Sequence, residues 1–384
     1  MQQIFKTIDA LKEEFVSIWE DVCNIESPSN DKVGVDKVGE YFMRLAEKNG
    51  WNIEVFPHET FGNVVCVEMN PEAAGEYITL SGHMDTVYPV GLFGTPPAKR
   101  EGDRLYGPGA EDCKGGLVAG FLAMQALKNC GFQERPVRML LQSNEEIGSG
   151  LQNKEPIRYI CEKAKGSKAF LNLEGHTLQQ PNAVNLRRKG IAGFLCTVTG
   201  VAAHASKCAK EGASAILEAA YKIMEFEKIK NPEGITFNCG LIEGGSASNA
   251  VPAKCTFKLD VRFSTAAEYE EAKALVETIA GTVFVPGCRC EVTQTNLRPA
   301  MECNEAMQAL FQKANELFVQ NGLPVIEAGF GTGGSDASDV SAAGIPTLDS
   351  LGTVGDRIHS VEEYSLISSL TDSAKRLATL IVGL

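Results

Sequence analysis

The feature that most constrains the fold of this 384-residue chain is the stretch of residues 81–116. The apolar run 77–80 enters it as a buried strand would, and the small, apolar run from Gly115 onward leaves it as a buried helix would begin. The strand ends in the sequence His83-Met84-Asp85. Ligands bind at the carboxyl ends of strands in open α/β sheets. We therefore expect an α/β sheet with a functional site at this edge.

His83 and Asp85 are two residues apart in extended chain and point to the same side of it. Asp85 is therefore placed to hold the imidazole of His83 in one tautomer. A metal-binding histidine usually has such a partner.

The rest of the chain continues the α/β pattern up to about residue 188. Helical spacing of apolar residues predicts helices over 3–24, 32–49 and 114–129. Apolar runs predict strands over 51–56, 63–69, 76–81, 136–141 and 170–173. Acidic residues follow two of these strands, at Glu145-Glu146 and at Glu174. The same edge of the sheet therefore collects polar side chains.

A second domain is predicted to interrupt the first. Its predicted elements follow the βαββαβ order of a ferredoxin-like domain. The strands are predicted over 191–199, 234–243, 253–263 and 289–295, and the helices over 212–229 and 266–280. The chain then returns to the α/β pattern of the first domain, with a helix predicted over 303–320, a strand over 346–351 and a helix from about Val361. We predict a central mixed sheet flanked by helices in 1–188 and 299–384, with the inserted domain in 189–298.

Composition excludes several classes of function. A chain this long is expected to form about two domains, and 44% hydrophobic with 22% charged residues is typical of a soluble protein. The net charge of −13 argues against nucleic acid as a partner. We see neither a membrane span nor a secretory signal. The twelve scattered cysteines indicate reduced thiols and a cytoplasmic location.

Several candidate metal ligands fall at strand ends or loop starts of the predicted sheet: His83, Asp112, the pair Glu145-Glu146, Glu174 and His359. Singly, each has an ordinary explanation, such as a helix cap for Asp112 or a solvated turn for the glutamate pair. Together they suit two divalent ions that share one carboxylate, with Asp112 as the natural bridge. Imidazole and carboxylate ligands without thiolate favour zinc, with cobalt or manganese as substitutes. One of the adjacent glutamates can bind metal while the other stays free as a general base.

These motifs resemble those of the dinuclear zinc peptidases, the family of aminoacylase, acetylornithine deacetylase, succinyl-diaminopimelate desuccinylase, tripeptidase and bacterial glutamate carboxypeptidase. The resemblance covers nearly the whole chain in order. It rests on His83-Met84-Asp85, on Gly-Ala-Glu-Asp112-Cys-Lys-Gly-Gly, on Asn-Glu145-Glu146-Ile-Gly-Ser, on Glu174, on Gly-Val-Ala-Ala-His204-Ala, on Asn249-Ala-Val-Pro and on Arg-Ile-His359-Ser.

The resemblance implies a role for each of these residues. It implies two zinc ions per subunit, one held by His83, Asp112 and Glu174 and the other by Asp112, Glu146 and His359. Asp85 is then the partner of His83, and Glu145 is the base that activates a metal-bridging hydroxide. A glutamate at position 174 is similar to the carboxypeptidase and desuccinylase branches, whereas the tripeptidases have an aspartate there.

The inserted domain carries further implied roles. His204 would reach across a homodimer into the partner's site and stabilise the oxyanion, unless it is a structural turn residue. Asn249 and Arg262 have the spacing that similar carboxypeptidases use for the substrate carboxylate, although Arg262 could simply pair with Asp260. In the catalytic part, Gly333 and Gly334 suit a close backbone approach to substrate or a plain flexible turn.

We therefore expect a zinc-dependent, carboxypeptidase-like hydrolase that cleaves the amide bond of a small peptide or an N-acyl amino acid with a free carboxylate. A deacetylase or desuccinylase is the first alternative. A degenerate, non-catalytic binder of peptides or amino acids is the second. Cys113 beside Asp112 is expected to be a packing residue, because no histidine other than the ligands is available to activate it.

Overall fold

The computed structural model describes residues 1–148, 150–208 and 210–384. The described part forms two main layered units, each built on one sheet. The α-helices are, in chain order, α1 Gln2–Cys23, α2 Lys32–Lys48, α3 Lys114–Asn129, α4 Glu155–Ala164, α5 Ala215–Glu227, α6 Ala266–Gly281, α7 Glu305–Gln320, α8 Asp336–Ala342 and α9 Ile367–Gly383.

The strands alternate with these helices through most of the chain. They are β1 Asn52–Phe56, β2 Val64–Met69, β3 Ile78–His83, β4 Lys99–Glu101, β5 Arg104–Tyr106, β6 Val137–Gln142, β7 Ala169–Asn172, β8 His176–Thr177, β9 Ala183–Arg188, β10 Gly190–Thr199, β11 Ala203–His204, β12 Thr236–Gly244, β13 Ala250–Val251, β14 Lys254–Phe263, β15 Arg289–Arg298, β16 Glu327–Gly331, β17 Thr347–Leu348, β18 Val354–Asp356 and β19 Tyr364–Leu366.

The first sheet is mixed, as the sequence predicts, with the strand order β1-β2-β6-β3-β7-β17. Strands β6, β3, β7 and β17 run parallel, while β2 is antiparallel to both of its neighbours, β1 and β6. All six residues of β3 are buried, as expected for a central parallel strand covered on both faces. The carboxyl ends of β6, β3 and β7 therefore lie side by side.

Helix α3 packs unusually close to this sheet because its first turn is rich in glycine. A Cβ atom at Gly116 would lie 1.9 Å from the carbonyl oxygen of Leu173, which follows β7. One at Gly115 would lie 2.5 Å from the carbonyl oxygen of Ala110. Only glycine permits this approach. It brings the start of α3, just after Asp112, against the chain that leads into Glu174.

The second main sheet has the order β12-β14-β10-β15, and all its neighbouring pairs are antiparallel. With α5 and α6 it gives the predicted ferredoxin-like unit, and a separate apolar core forms between sheet and helices. Fold class is thus confirmed as α/β with an inserted ferredoxin-like unit. The exact domain boundaries at residues 188 and 298 stay predictions.

Some element boundaries were wrong in the sequence analysis. The last helix begins at Ile367 rather than near Val361, because Tyr364–Leu366 instead pairs with Arg104–Tyr106 as a strand. Regular elements flank Gly333 and Gly334 closely: Glu327–Gly331 is a strand beside β9, and α8 begins at Asp336. These pairings are non-local, so local composition does not reveal them.

Among the described residues, no helix combines the length and apolar character needed to cross a bilayer. All twelve cysteines are free thiols in the structure. The cytoplasmic location stays a prediction from the sequence.

Candidate metal centre

Three adjacent strands deliver most of the predicted ligands to one place. His83 is the last residue of β3. Glu145 and Glu146 follow its neighbour β6 in a 3-10 turn, and Glu174 follows its other neighbour β7. Because these strands are parallel, their carboxyl ends meet at the same edge of the sheet.

His359 reaches the same place from another direction. It lies in the loop between β18 and β19, which belong to a small sheet with the order β4-β5-β19-β18-β8. Arg357 and His359 both have left-handed backbone conformations, with φ of 68° and 61°. Such conformations are uncommon for residues other than glycine and are found at sites that the surrounding structure constrains.

Asp112 lies between the two imidazoles. Its Oδ1 is 2.9 Å from Nε2 of His83, and its Oδ2 is 3.3 Å from Nε2 of His359. Oε2 of Glu146 is 3.4 Å from Nε2 of His359, and Oε1 of Glu174 is 3.9 Å from Nε2 of His83. One carboxylate thus presents one oxygen to each imidazole, which is the geometry of a bridging ligand between two ions.

Asp85 supports this arrangement in two ways. Nδ1 of His83 is 3.0 Å from the carbonyl oxygen of Asp85 and 3.4 Å from its Oδ1, which leaves Nε2 free to face Asp112. The carboxylate of Asp85 also accepts hydrogen bonds from the backbone N–H groups of Glu145, at 3.0 Å, and Glu146, at 3.2 Å. Ser29 Oγ donates to the same carboxylate at 2.6 Å. Asp85 therefore ties the end of β3 to the turn after β6.

The electrostatics of the cluster are those of a site that needs cations. Burial, together with nearby Asp112, raises the pKa of Glu146 to about 8 and the pKa of Glu174 well above its ordinary value. Hydrogen bonds to Asp112 and Glu146 raise the pKa of His359 to about 10. Burial would lower the pKa of His83, but its contacts with Asp112 and Asp85 help to raise it overall. The cluster takes up protons to balance its negative charge, and divalent ions can balance it instead.

The donor set fits such ions. His83, Asp112 and Glu146 each offer a ligand atom within 4.8 Å of the others, and so do His83, Glu145 and Glu174. The nearest thiol, Cys113, is fully buried, and its Sγ accepts a hydrogen bond at 3.0 Å from the backbone N–H of His83. Burial raises the pKa of Cys113 to about 12, so it is not available as a thiolate.

Among the contacts of the described residues, the predicted residues of the inserted domain have none with this cluster. His204 and Asn249 are exposed neighbours, with Ala205 N–H donating at 2.9 Å to the carbonyl oxygen of Asn249. Nδ1 of His204 is 2.8 Å from Ser206 Oγ. Arg262 makes two hydrogen bonds to Asp260, at 2.6 and 3.1 Å.

Gly333 and Gly334 lie between β16 and α8. The carbonyl oxygen of Gly333 accepts a hydrogen bond from Arg188 at 3.4 Å, and Gly333 has open space where a Cβ would be. A Cβ at Gly334 would lie 3.0 Å from Cδ of Arg298. The side chains of Ile191 and Arg298 therefore approach Gly334 closely, whereas the space beside Gly333 is open.

Two arginines beside the cluster were not among the residues predicted from the sequence: Arg298, which is buried, and Arg188, which is half-buried. The side chain of Arg298 is 3% exposed and forms an ion pair with Glu145. Arg188 pairs with Asp349 and donates to Ser350 Oγ at 3.3 Å. The acidic residues were found because they follow the ends of predicted strands. The same reasoning would have found Arg298 only if the last strand of the inserted domain had been predicted to end at residue 298 rather than at 295.

The raised pKa values predict how the protein responds to pH once its metal is removed. In the folded protein the pKa of Glu146 is raised from 4.5 to about 8. As the pH rises, its carboxyl group therefore ionises in the unfolded chain before it ionises in the folded one. The free energy of unfolding consequently falls as the pH rises between these two values. The pKa of His359 is raised from 6.5 to about 10 in the folded protein. The stabilisation by its protonated imidazole is therefore complete below pH 6.5 and is lost as the pH rises through about 10. We expect the melting temperature of chelator-treated protein to fall steadily between pH 5 and pH 10, as measured by calorimetry.

Added metal should reverse this trend, since its ligands must be deprotonated to bind it. The gap between the melting temperatures with and without zinc should therefore widen with pH. In the variant His359→Ala, the melting temperature of the metal-free protein should no longer fall between about pH 8 and pH 10, where His359 loses its proton. A metal-free protein that became more stable from pH 6 to pH 9 would contradict the charge balance described above.

Comparison with known proteins agrees with this geometry. Residues 79–382 match the profile of peptidase family M20/M25/M40. Carboxypeptidase G2 of Pseudomonas sp. (strain RS-16) is 30% identical over 95% of this chain and 88% of its own. The succinyl-diaminopimelate desuccinylase of Corynebacterium glutamicum is 27% identical over 91% of each chain.

A solved structure shares the fold as well. A Bacillus subtilis protein, described as a dinuclear metal-binding peptidase from the M20 family, superposes with a TM-score of 0.73. It is 17% identical, and the match covers 97% of this chain and 98% of that one. The chain described here belongs to the metal-dependent M20/M25/M40 family of peptidases and related hydrolases.

Proposed function

We propose that this protein is a dinuclear zinc hydrolase of carboxypeptidase type, which cleaves the amide bond of a small peptide or N-acyl amino acid with a free carboxylate. The observation that carries the proposal is the placement of Asp112, with one carboxylate oxygen toward each of two imidazoles. The similarity to carboxypeptidase G2 over nearly the whole chain supports this choice within the family.

The proposed ligands are His83, Asp112 and Glu174 for one ion and Asp112, Glu146 and His359 for the other. Two zinc ions there would polarise the scissile carbonyl and acidify the attacking water. Cobalt or manganese could serve in their place, because imidazole and carboxylate ligands accept all three.

Glu145 is the proposed general base. Its backbone N–H is fixed by Asp85, and its side chain is 10% exposed at the edge of the cluster. From there its carboxylate can take a proton from the attacking water and return it to the nitrogen of the leaving amine. Asp85 is the proposed orienting partner of His83, since it contacts Nδ1 and leaves Nε2 to the metal.

We propose that the inserted domain forms a homodimer. Leu217, Tyr221 and Met224 lie on one face of α5 and are 47%, 42% and 60% exposed. Leu241 and Ile242 of the edge strand β12 are 63% and 54% exposed. Helix α5 packs against β12, so both groups lie near the edge of the sheet that β12 forms. An unpaired edge strand beside exposed apolar residues is the kind of surface that a second copy covers.

The dimer gives a role to residues that lie away from the cluster of their own chain. Exposed His204 is proposed to enter the partner's site and donate a hydrogen bond to the oxyanion. Asn249 and Arg262 are proposed to bind the carboxylate of the leaving amino acid, with Gly333 and Gly334 forming part of the substrate wall.

A desuccinylase is the second candidate, because the C. glutamicum enzyme of that name matches 91% of this chain. The two candidates differ in the acyl group that they accept. A release assay across dipeptides, N-succinyl and N-acetyl amino acids separates them.

Glu145→Ala is expected to reduce turnover by about 10²- to 10⁴-fold, because a general base of this kind contributes that much. Its metal content, measured by plasma emission spectrometry, should equal that of the unaltered protein. Glu146→Ala is the matched comparison at the next residue, and it should lose about one ion per chain. A Glu145→Ala enzyme with a near-normal rate would refute the assignment of the base.

Arg262→Ala is expected to reduce the preference for a free carboxylate over its amide by about 10- to 100-fold, because a charge-assisted hydrogen bond is lost. The ratio of kcat/KM for each acid and its amide measures this preference. Asp260→Asn removes the partner of Arg262 and should keep most of the preference. Equal losses in both variants would mean that Arg262 only forms a surface ion pair.

His204→Ala is expected to lower kcat by about 10²-fold, as removal of an oxyanion donor does. Mixed dimers of His204→Ala and Glu145→Ala chains should regain activity, since one of the two sites then has both residues. The assay compares mixed and unmixed samples at equal concentration.

Met224→Glu tests the surface through which this exchange is proposed to occur. It places a charge on the exposed face of α5, so sedimentation should detect monomers and complementation should disappear. Mixed dimers that stay inactive while they form normally would exclude the cross-subunit role of His204.

A further inference from the structure

Arg298 makes a two-point contact with Glu145. Its Nη1 forms an ion pair with the carboxylate, and its Nη2 donates at 3.0 Å to the carbonyl oxygen of the same residue. The arginine side chain is 3% exposed, so water screens this pair little. The contact thus fixes both the carboxylate and the backbone of Glu145.

Glu145 also lies within reach of the metal ligands. One of its carboxylate oxygens forms a group with donor atoms of His83 and Glu174, all within 4.8 Å of one another. Such a group can hold an ion by itself. A glutamate that binds an ion is no longer free to take up a proton. If Glu145 is the general base, an interaction within the protein must therefore hold its carboxylate away from the ion.

Two other carboxylates, those of Asp336 and Asp339, also lie near the guanidinium of Arg298. Asp336 Oδ1 is 3.5 Å from Nη2, and Asp339 Oδ2 is 3.8 Å from Nε. Both oxygens are buried, and neither has a hydrogen-bond partner among the described residues. Arg298 therefore has charged partners besides Glu145, which lowers the cost of burying its guanidinium.

Backbone contacts hold Arg298 and Glu145 in place independently of their ion pair. Arg298 is the last residue of β15, and Asn296 of the same strand forms an isolated β-bridge with Gly150, five residues after Glu145. The turn that carries the base is thus attached to the strand that carries the arginine.

We propose that Arg298 is a positioning residue that keeps the carboxylate of Glu145 off the metal ions and available to the reacting water. This inference rests on the proposed function for its catalytic meaning. The part that concerns metal binding is argued from the contacts of Arg298 and Glu145 and does not require that the protein hydrolyse amides.

The test uses the full-length protein loaded with Co²⁺, whose visible absorption reports its ligands. Arg298→Met should bind Co²⁺ at least as tightly as the unaltered protein in a chelator competition, and its absorption spectrum should change as Glu145 becomes a ligand. With zinc, its kcat should fall by about 10- to 100-fold with little change in KM, since the base is lost rather than the substrate contacts.

Arg298→Lys keeps the charge and should fold even if Arg298→Met does not, with a smaller change in both spectrum and kcat. In Arg298→Met/Glu145→Gln, the spectrum should match that of Glu145→Gln alone, because the additional ligand is gone. Arg376→Met is the matched control: Arg376 is also buried but donates to Asn182, and this variant should keep the kinetics and the spectrum of the unaltered protein.

Weaker Co²⁺ binding by Arg298→Met, or an unchanged spectrum in both Arg298 variants, would overturn the inference. If the unaltered enzyme hydrolyses none of the amides tested while Arg298→Met still changes the Co²⁺ spectrum as described, the proposed function fails and the positioning role stands.

Discussion

Mutual repulsion among carboxylates is the interaction on which the site depends. Asp112, Glu146 and Glu174 lie within 4 Å of two imidazoles at one edge of a sheet, and they are mostly buried. Buried charges of one sign are costly unless they are paired. The fold accepts this cost through protonation, as the raised pKa values of Glu146 and His359 indicate, or through divalent ions. Stability and metal binding are therefore two aspects of the same charge balance.

The supporting structure keeps the donors at fixed positions. Glycines at the start of α3 allow Asp112 to approach the chain that carries Glu174, and Asp85 joins His83 to the turn of Glu145. Arg298 adds a contact that distinguishes Glu145 from the neighbouring Glu146. Two adjacent glutamates thus have different surroundings: one faces an arginine, and the other faces His359. This difference is a physical basis for two different roles in one turn.

The inserted domain has a different relation to the site. Its residues His204 and Asn249 are exposed, unlike the buried cluster, and the role proposed for His204 requires a second copy of the chain. The exposed apolar side chains of α5 and β12 make such a copy physically reasonable. Under the proposed function, catalysis would then depend on assembly as well as on metal.

The sequence alone determined the α/β class, the inserted unit and the candidate ligands at strand ends, because apolar periodicity and short motifs are local properties of the chain. His83, Glu145 and Glu174 could be placed at one edge since parallel strands present their carboxyl ends together. Only the tertiary structure decided that His359 arrives from a separate sheet and that Arg298 pairs with Glu145. Both depend on contacts between residues more than 150 positions apart, and neither local propensity nor spacing contains that information.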